Sequence, residues 1–230
     1  MATGGLPKNI TPFRLTTSGA NLIYSEDQTM SKVIIDMSLS LDGFIAGPDD
    51  TPGQPFGGRN AQRLHDWLLV GPEPYEGNAF FRPEGRNRDF VDALLRTTGA
   101  LLTGRRTYDL VNGWGGSHPI PGLPVVVLTH TPPTDVPKGK SSFAFCTGVK
   151  EAVDAAKRQA KEKDVMVHGA GTTQQLLAAG LADELRLHVA PLLLGDGRRL
   201  FGRGADDLPL EMIETIATPQ AVHIRYRVRR

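Results

Sequence analysis

The chain has 230 residues, a net charge of +1 and 22% charged residues, values typical of one large globular domain or two small ones. This charge gives no reason to expect binding to nucleic acid or to an anionic membrane. A single cysteine, Cys146, excludes an internal disulfide framework and suits a reducing cytoplasm. No apolar run reaches the roughly 20 residues of a membrane span, and the N-terminus lacks a signal-peptide pattern, so we expect a cytoplasmic protein.

The N-terminal part of the chain differs in composition from the rest. Residues 1–30 mix Gly, Pro, Thr, Ser and Asn with little periodicity, which predicts an extension that is flexible or lies on the surface. Residues 31–230 show no repeat and no second boundary, and we interpret them as one domain. Residues 32–41 predict the first strand, and its continuous apolar start is typical of a strand covered on both faces.

Asp42 follows the first strand at a Gly43 turn, where it could either cap the turn or contact a substrate. The loop that follows is rich in Pro, Gly and Asp and leaves the carboxyl end of the strand. An open α/β sheet places its ligand at that end.

The next predicted element is a helix over residues 60–70, because Leu64, Trp67 and Leu68 fall on one helical face. Asp66 flanks that face beside Trp67. A buried carboxyl has a raised pKa and could donate a proton, which makes Asp66 a candidate catalytic residue. The alternative, an exposed helix carboxylate, is the more frequent situation.

Residues 89–98 predict another helix, and 100–102 a short strand. Residues 103–113, TGRRTYDLVNG, then read as strand, glycine and helix, with Arg105 and Arg106 in the first helical turn. Cations at that end oppose the helix dipole unless an anion lies there, so this segment favours a phosphate site over a solvated arginine pair. Thr107 can add a hydroxyl group to that site.

A glycine-rich loop presents Trp114, which could stack on a flat heterocycle or fill the core beneath the loop. Beyond it, residues 124–129 and 143–147 predict strands, and residues 149–163 predict an amphipathic helix. Cys146, in the second of these strands, is interpreted as an inert buried thiol.

Residues 164–180, DVMVHGAGTTQQLLAAG, are the second strand–glycine–helix segment. We predict a strand, a tight turn at Gly169 and Gly171, and a helix capped by a threonine hydroxyl and ended by Gly180. The unpaired N–H groups of such a helix start suit a phosphate or pyrophosphate. The full dinucleotide pattern needs a third glycine where Gln174 stands, so a plain strand-to-helix connection is the alternative.

The C-terminal part reads as strands over residues 183–194, 208–216 and 221–228, and Pro191 predicts an edge or bulge position for the first of them. The whole pattern predicts an α/β fold: one doubly wound, mostly parallel mixed sheet, with helices on both faces and antiparallel C-terminal strands.

The histidines show no metal-binding spacing, and one cysteine cannot build a zinc site, so we expect no metal. His168 and His188 are interpreted as strand residues with satisfied hydrogen bonds. Because no G-x-S-x-G elbow or P-loop occurs, the corresponding hydrolase and kinase classes are excluded.

Five segments in this order resemble the dihydrofolate-reductase-like superfamily, and in particular the reductase domain of the bifunctional riboflavin-biosynthesis deaminase/reductase and its stand-alone relatives. They are LSLDGFIAG, LLTGRRTYD, VVVLT, VMVHGAGTTQQLL and LHVAPLLLGDGRRLF. The resemblance covers about residues 32–228 and implies an NADPH-dependent reductase that is often a homodimer. The zinc signature of the deaminase half is absent from the sequence.

The resemblance also implies roles for individual residues. The phosphates of NADPH would face Gly104, Arg105, Arg106 and Thr107, and the pyrophosphate would contact Gly169, Ala170, Gly171, Thr172 and Thr173. The adenosine would lie near Thr129 and His130. The nicotinamide would border the Asp42 segment, including Ala46. Asp42, Trp67 and Trp114 are the candidate substrate contacts.

The sequence departs from the family in residues 108–116, YDLVNGWGG, where the riboflavin enzymes carry an acidic-proline run and an arginine for the ribose phosphate of the substrate. We therefore predict a reductase of a small heterocycle, similar to a riboflavin precursor or a pterin. The alternative is a catalytically inactive NADP(H)-binding sensor or scaffold.

Overall fold

The computed structural model describes residues 31–58, 60–202 and 207–229. The predicted extension, residues 1–30, lies outside this part of the chain. The strands are β1 (Val33–Ser40), β2 (Phe44–Ala46), β3 (Thr98–Gly104), β4 (Val125–Leu128), β5 (Phe143–Cys146), β6 (Asp164–His168), β7 (Glu184–Ala190), β8 (Arg198–Arg199), β9 (Leu210–Ala217) and β10 (Val222–Val228). The α-helices are α1 (Asp66–Leu69), α2 (Asn87–Thr97), α3 (Arg105–Leu110), α4 (Val149–Ala160) and α5 (Ala170–Ala178), with short 3₁₀ segments at Ala61–His65 and Asn112–Gly116.

One large sheet has the strand order β5-β4-β3-β6-β1-β7-β10-β9. Neighbouring strands from β5 across to β7 pair in parallel, and β7, β10 and β9 pair antiparallel. The strand β1 is central, which explains why its sequence begins with a continuous apolar run. The predicted fold class is therefore confirmed.

Each face of this sheet has its own core. Successive strand residues point to opposite faces, so Leu102 packs in the core beneath α4 and α5, and Leu101 packs in the core beneath α2 and α3. Both leucines are fully buried. Within the described ranges, no helix combines the length and apolar character needed to cross a membrane.

Three local predictions were wrong. Pro191 does not mark an edge or a bulge, because β7 ends at Ala190 and lies inside the sheet between β1 and β10. Beyond the strand, a proline disrupts no ladder hydrogen bond. The predicted helix over residues 60–70 is a 3₁₀ turn followed by the four-residue α1. No threonine caps α5: the N-cap is Gly169, with φ of 96°, and the threonines lie inside the helix.

Candidate functional site

A cleft of about 1030 Å³ opens at the carboxyl ends of β3 and β6. The segments around it are α3, α5, the loop after β2, the Trp114 turn and the short strand β8. Clefts in this position and of this size are typical ligand sites of open α/β sheets.

The two strand–glycine–helix turns meet in this cleft, because β3 and β6 are neighbours in the sheet. A Cβ atom on Gly104 would lie 2.9 Å from Thr172 Oγ1, and a Cβ on Gly169 would lie 2.8 Å from Thr107 Oγ1. Each glycine therefore lies so close to a threonine of the other turn that no side chain larger than a hydrogen atom fits there. The sequence segments around Arg105 and Gly171 thus form one continuous surface.

The start of α5 has the properties of an anion site. Gly171 is exposed, and a Cβ atom there would meet no other atom within 4 Å. The Thr172 hydroxyl is buried without a hydrogen-bond partner and belongs to the cleft wall. A nine-residue helix also presents the unpaired N–H groups of its first turn at this point.

The predicted phosphate-binding arginines already have partners on the chain. Arg106 bonds Asp50 with an N–O distance of 2.5 Å, and Arg198 of β8 reaches the same carboxylate at 3.3 Å. Arg105 pairs with Asp109 at 2.8 Å. Two arginines thus share Asp50, which leaves a net positive charge at the cleft rim.

The side chain of Asp50 is buried, with 2% of it exposed, whereas the side chains of Arg106 and Arg198 are 51% and 44% exposed. Burial alone would raise the pKa of Asp50, but hydrogen bonds from Arg106 and Arg198 outweigh it and hold the pKa below its ordinary value of 3.8. Asp50 therefore connects the loop after β2 with α3 and β8.

Asp50→Asn is expected to lower the free energy of unfolding by about 1–3 kcal/mol at pH 7, because the ionised acceptor of two arginines is lost. A carboxylate with a lowered folded-state pKa stabilises the fold above its unfolded value of 3.8, and this stabilisation declines below that value and is lost as the pH falls through the folded-state pKa. Urea unfolding at pH 7 and pH 3 should therefore show the difference from wild type shrinking at pH 3. Asp154→Asn, in the exposed pair with Lys150, is the matched control and should change little. An Asp50→Asn difference that persists unchanged at pH 3 would contradict this account.

Aromatic side chains form the other end of the cleft. The turn Asn112–Gly116 is left-handed, and Trp114 itself has φ of 52°, an unusual conformation for a bulky residue. This turn brings Trp114 to the cleft, edge-on to His118 with ring centroids 4.8 Å apart. Trp67 lines the same end and donates its indole N–H to Ser38 Oγ at 2.9 Å. The arrangement suits a flat, largely apolar ligand.

The cleft is also lined by four titratable side chains: Asp36, His65, His118 and His168. Burial lowers the pKa of His65 to about 4 and that of His118 to about 3, so both are neutral at pH 7. Burial would raise the pKa of Asp36, but His188 and Arg186 outweigh it and lower that pKa. In the described ranges, no group of three or more His, Cys, Asp and Glu side chains could hold a metal ion.

Asp36 was missed from the sequence. It is a single carboxylate inside the apolar strand VIIDMSLS, and its isolation among buried residues was the available signal. Both ring nitrogens of His188 are hydrogen-bonded, as predicted for that strand histidine, whereas His168 lines the cleft.

Most of the predicted site residues line the cleft: Ala46, Trp67, Gly104, Arg105, Arg106, Thr107, Trp114, Gly169, Ala170, Gly171 and Thr172. Five predicted residues are not among those that line it: Asp42, Asp66, Thr129, His130 and Thr173.

The contacts of these residues explain their placement. Asp42 caps its turn, since its carboxylate accepts the backbone N–H groups of Leu194 and Gly195. Asp66 points to Arg63, 3.6 Å away, so the structure gives no support to Asp66 as a proton donor. Thr129 closes a local turn by accepting the Thr131 N–H, and His130 is exposed.

Comparison with known proteins places this chain in a family. The chain is 24% identical over 196 residues to the uncharacterised protein YyaP of Bacillus subtilis, covering 80% of this chain and 87% of that protein. A Shewanella sp. PV-4 protein, described as a candidate riboflavin biosynthesis protein, is 27% identical, with a TM-score of 0.60 over 88% of this chain and all of that one. Dihydrofolate reductase from Enterococcus faecalis shares the fold, at 15% identity and a TM-score of 0.52 over 86% of this chain and 96% of that one. The family model described as the RibD C-terminal domain matches residues 31–224, and the chain belongs to that family.

Proposed function

We propose that the protein is a cytoplasmic NADPH-dependent reductase that transfers a hydride to a small heterocycle similar to a riboflavin precursor or a pterin. The observation that carries this proposal is the single cleft in which an anion-binding helix start and an aromatic end with a buried carboxylate lie together. The family assignment supports the reductase class, and the 27% identical Shewanella protein supports the riboflavin-related substrate class.

The residues at the phosphate end fit NADPH. The open space above Gly171 admits a pyrophosphate, and the unpaired Thr172 hydroxyl can donate to one of its oxygens. Arg106 and Arg198, with Asp50 as their shared partner, provide excess positive charge for a further phosphate group. A homodimer is part of the proposal, since the family resemblance implies one.

When bound, NADPH supplies the hydride, and the chain's own residues position the reactants and exclude water. Trp67 and Trp114 offer flat surfaces against which a heterocycle can stack. Asp36 lies at this end as an ionised carboxylate that can accept an N–H group from such a ring.

NADPH is expected to bind the purified protein with micromolar affinity and to be oxidised in the presence of a ribitylamino-pyrimidine or pterin substrate. Titration calorimetry measures the binding, and the absorbance of NADPH at constant substrate measures the oxidation. NADH is the matched control and should bind more weakly, because it lacks the phosphate that the rim arginines would bind.

Two outcomes would count against the proposal. No binding at millimolar NADPH would refute the cofactor assignment. Tight binding without oxidation by any of these substrates would favour the alternative of a catalytically inactive NADP(H)-binding sensor or scaffold.

A further inference from the structure

A chain of hydrogen-bonded side chains runs through the core from the cleft to the protein surface. Its members are Asp36, His188, His223, Asn87, Gln220 and Glu84, in that order. Asp36 Oδ1 lies 3.1 Å from His188 Nε2, the two histidines face each other through Nδ1 atoms 2.6 Å apart, and His223 Nε2 lies 3.0 Å from Asn87 Oδ1. Asn87 donates to Gln220 at 3.0 Å, and Gln220 donates to Glu84.

The two ends of this chain fix the direction of its hydrogen bonds. Glu84 is an exposed carboxylate, and an ionised carboxylate only accepts hydrogen bonds. Gln220 must therefore turn its NH₂ group toward Glu84 and its carbonyl toward Asn87, and Asn87 must turn its carbonyl toward His223. At the other end, Asp36 also only accepts, because its lowered pKa keeps it ionised.

A chain with an acceptor at both ends needs one member that donates in both directions. The side-chain amides of Asn87 and Gln220 each donate on one side and accept on the other, as does a neutral histidine. Only a histidine with protons on both ring nitrogens can donate both ways. The hydrogen-bond count thus requires one extra proton on the histidine pair, in the short bond between the Nδ1 atoms.

The surroundings locate this proton on His188. Burial, followed by the charge of His188, lowers the pKa of His223 to about 3. His188 touches the carboxylate of Asp36 and stacks on Trp67, with ring centroids 4.1 Å apart and planes inclined by 27°. Trp is the aromatic side chain that attracts cations most strongly, whereas His223 stacks on Phe90.

We propose that His188 and His223 form a buried proton store, which delivers a proton through Asp36 to the heterocycle when the hydride is transferred. This inference rests on the proposed reductase function. Asp36 is the catalytic residue, because it lines the cleft, and the two histidines act through it.

The step balances in atoms and charge. The hydride from NADPH forms a C–H bond at the carbon of a C=N bond, and the π electrons move to the nitrogen. The proton on His188 Nε2 passes to the Asp36 carboxylate, and the carboxyl group so formed gives a proton to that nitrogen and becomes a carboxylate again. The imidazolium becomes a neutral imidazole and regains its proton from water after the product leaves.

Charged neighbours and restricted water access allow the proton to be held until it is needed. The other titratable or charged groups packed near the pair are Arg186, Arg225, His168, His65 and Arg86. Arg186 bonds Asp36 at 3.3 Å, and Arg225 bonds Glu184 and Glu214. A cavity of about 10 Å³ beside Asp36 and His188 is no larger than one water molecule, whereas the wide cleft also reaches Asp36.

The first test measures the proton without any cofactor. Nitrogen-15 NMR of histidine-labelled protein at pH 7 should show His188 with both ring nitrogens protonated and His223 with one, and the His188→Gln spectrum assigns the signal. In Asp36→Asn the new amide can donate to His188 Nε2, so the extra proton should be lost. Two singly protonated rings in the wild type would overturn the inference, even if NADPH is oxidised.

The second test measures the delivery. Asp36→Asn should slow single-turnover oxidation of NADPH at least about 100-fold. The rate of this variant should fall about tenfold for each unit by which the pH is raised, because only substrate that is already protonated in solution can react. His223→Gln should shift the pH profile of the wild type without a large change in KM. Glu211→Gln, which changes a partly exposed carboxylate on β9 that pairs with Arg227 and Arg229, is the matched control. An Asp36→Asn profile parallel to that of wild type would overturn the delivery step, whereas absence of NADPH binding would refute the proposed function itself.

Discussion

Gly171→Asp is expected to weaken NADPH binding more than about 100-fold while the fold remains intact. The position is exposed with free space around it, so the new side chain fits. An aspartate in the first turn of α5 interacts favourably with the helix dipole and should raise the free energy of unfolding by about 0.3–1 kcal/mol. The same carboxylate occupies the proposed phosphate position, where like charges cost several kcal/mol. Calorimetric titration with NADPH and urea unfolding of the same sample measure both effects.

Ala178→Asp is the matched control for this experiment. It adds the same charge to the same helix, but at the last residue of α5, far from the cleft end. NADPH binding should stay at the wild-type level, and the unfolding free energy should fall slightly, since a negative charge at a helix C-terminus is unfavourable. If Gly171→Asp binds NADPH as tightly as Ala178→Asp does, the phosphates do not bind at α5.

Gly169→Ala is expected to lower the free energy of unfolding by about 2–6 kcal/mol. Gly169 has φ of 96°, a conformation that costs other residues about 1–3 kcal/mol. In addition, the new methyl group would lie 2.8 Å from Thr107 Oγ1, and such overpacking costs about 1–3 kcal/mol. The denaturation midpoint in urea measures the loss.

Gly171→Ala is the control for Gly169→Ala, because it tests whether any loss of glycine in this turn lowers the stability. Its backbone has no positive φ and its Cβ meets nothing within 4 Å, so its stability should match or exceed that of wild type. Equal stabilities of Gly169→Ala and Gly171→Ala would show that the two turns do not pack as closely as described.

The parts of the fold that the sequence predicted are those that short-range patterns determine. The alternation of strands and helices defined the sheet, and the two glycine turns identified the end of the cleft at which we propose that phosphates bind. Both signals lie within about a dozen consecutive residues, where periodicity and turn chemistry act directly.

The aromatic end of the cleft depends on long-range contacts, which short sequence patterns do not contain. Asp36 and His188 are 152 residues apart in sequence, and each reads locally as an ordinary strand residue. Likewise, nothing near Arg106 indicates that Asp50, 56 residues earlier, is its partner. For the same reason Asp66 was a reasonable candidate from its helix alone, yet the local turn directs it toward Arg63.

The central position of β1 has a consequence for how the protein is made. This strand is synthesised well before both of its sheet partners, β6 and β7, which follow it by more than 120 residues. The nascent chain must therefore keep an apolar strand unpaired while the intervening residues are synthesised, when chaperones can bind it. The cleft, and with it the proposed coenzyme site, can form only after β6 and α5 have been synthesised.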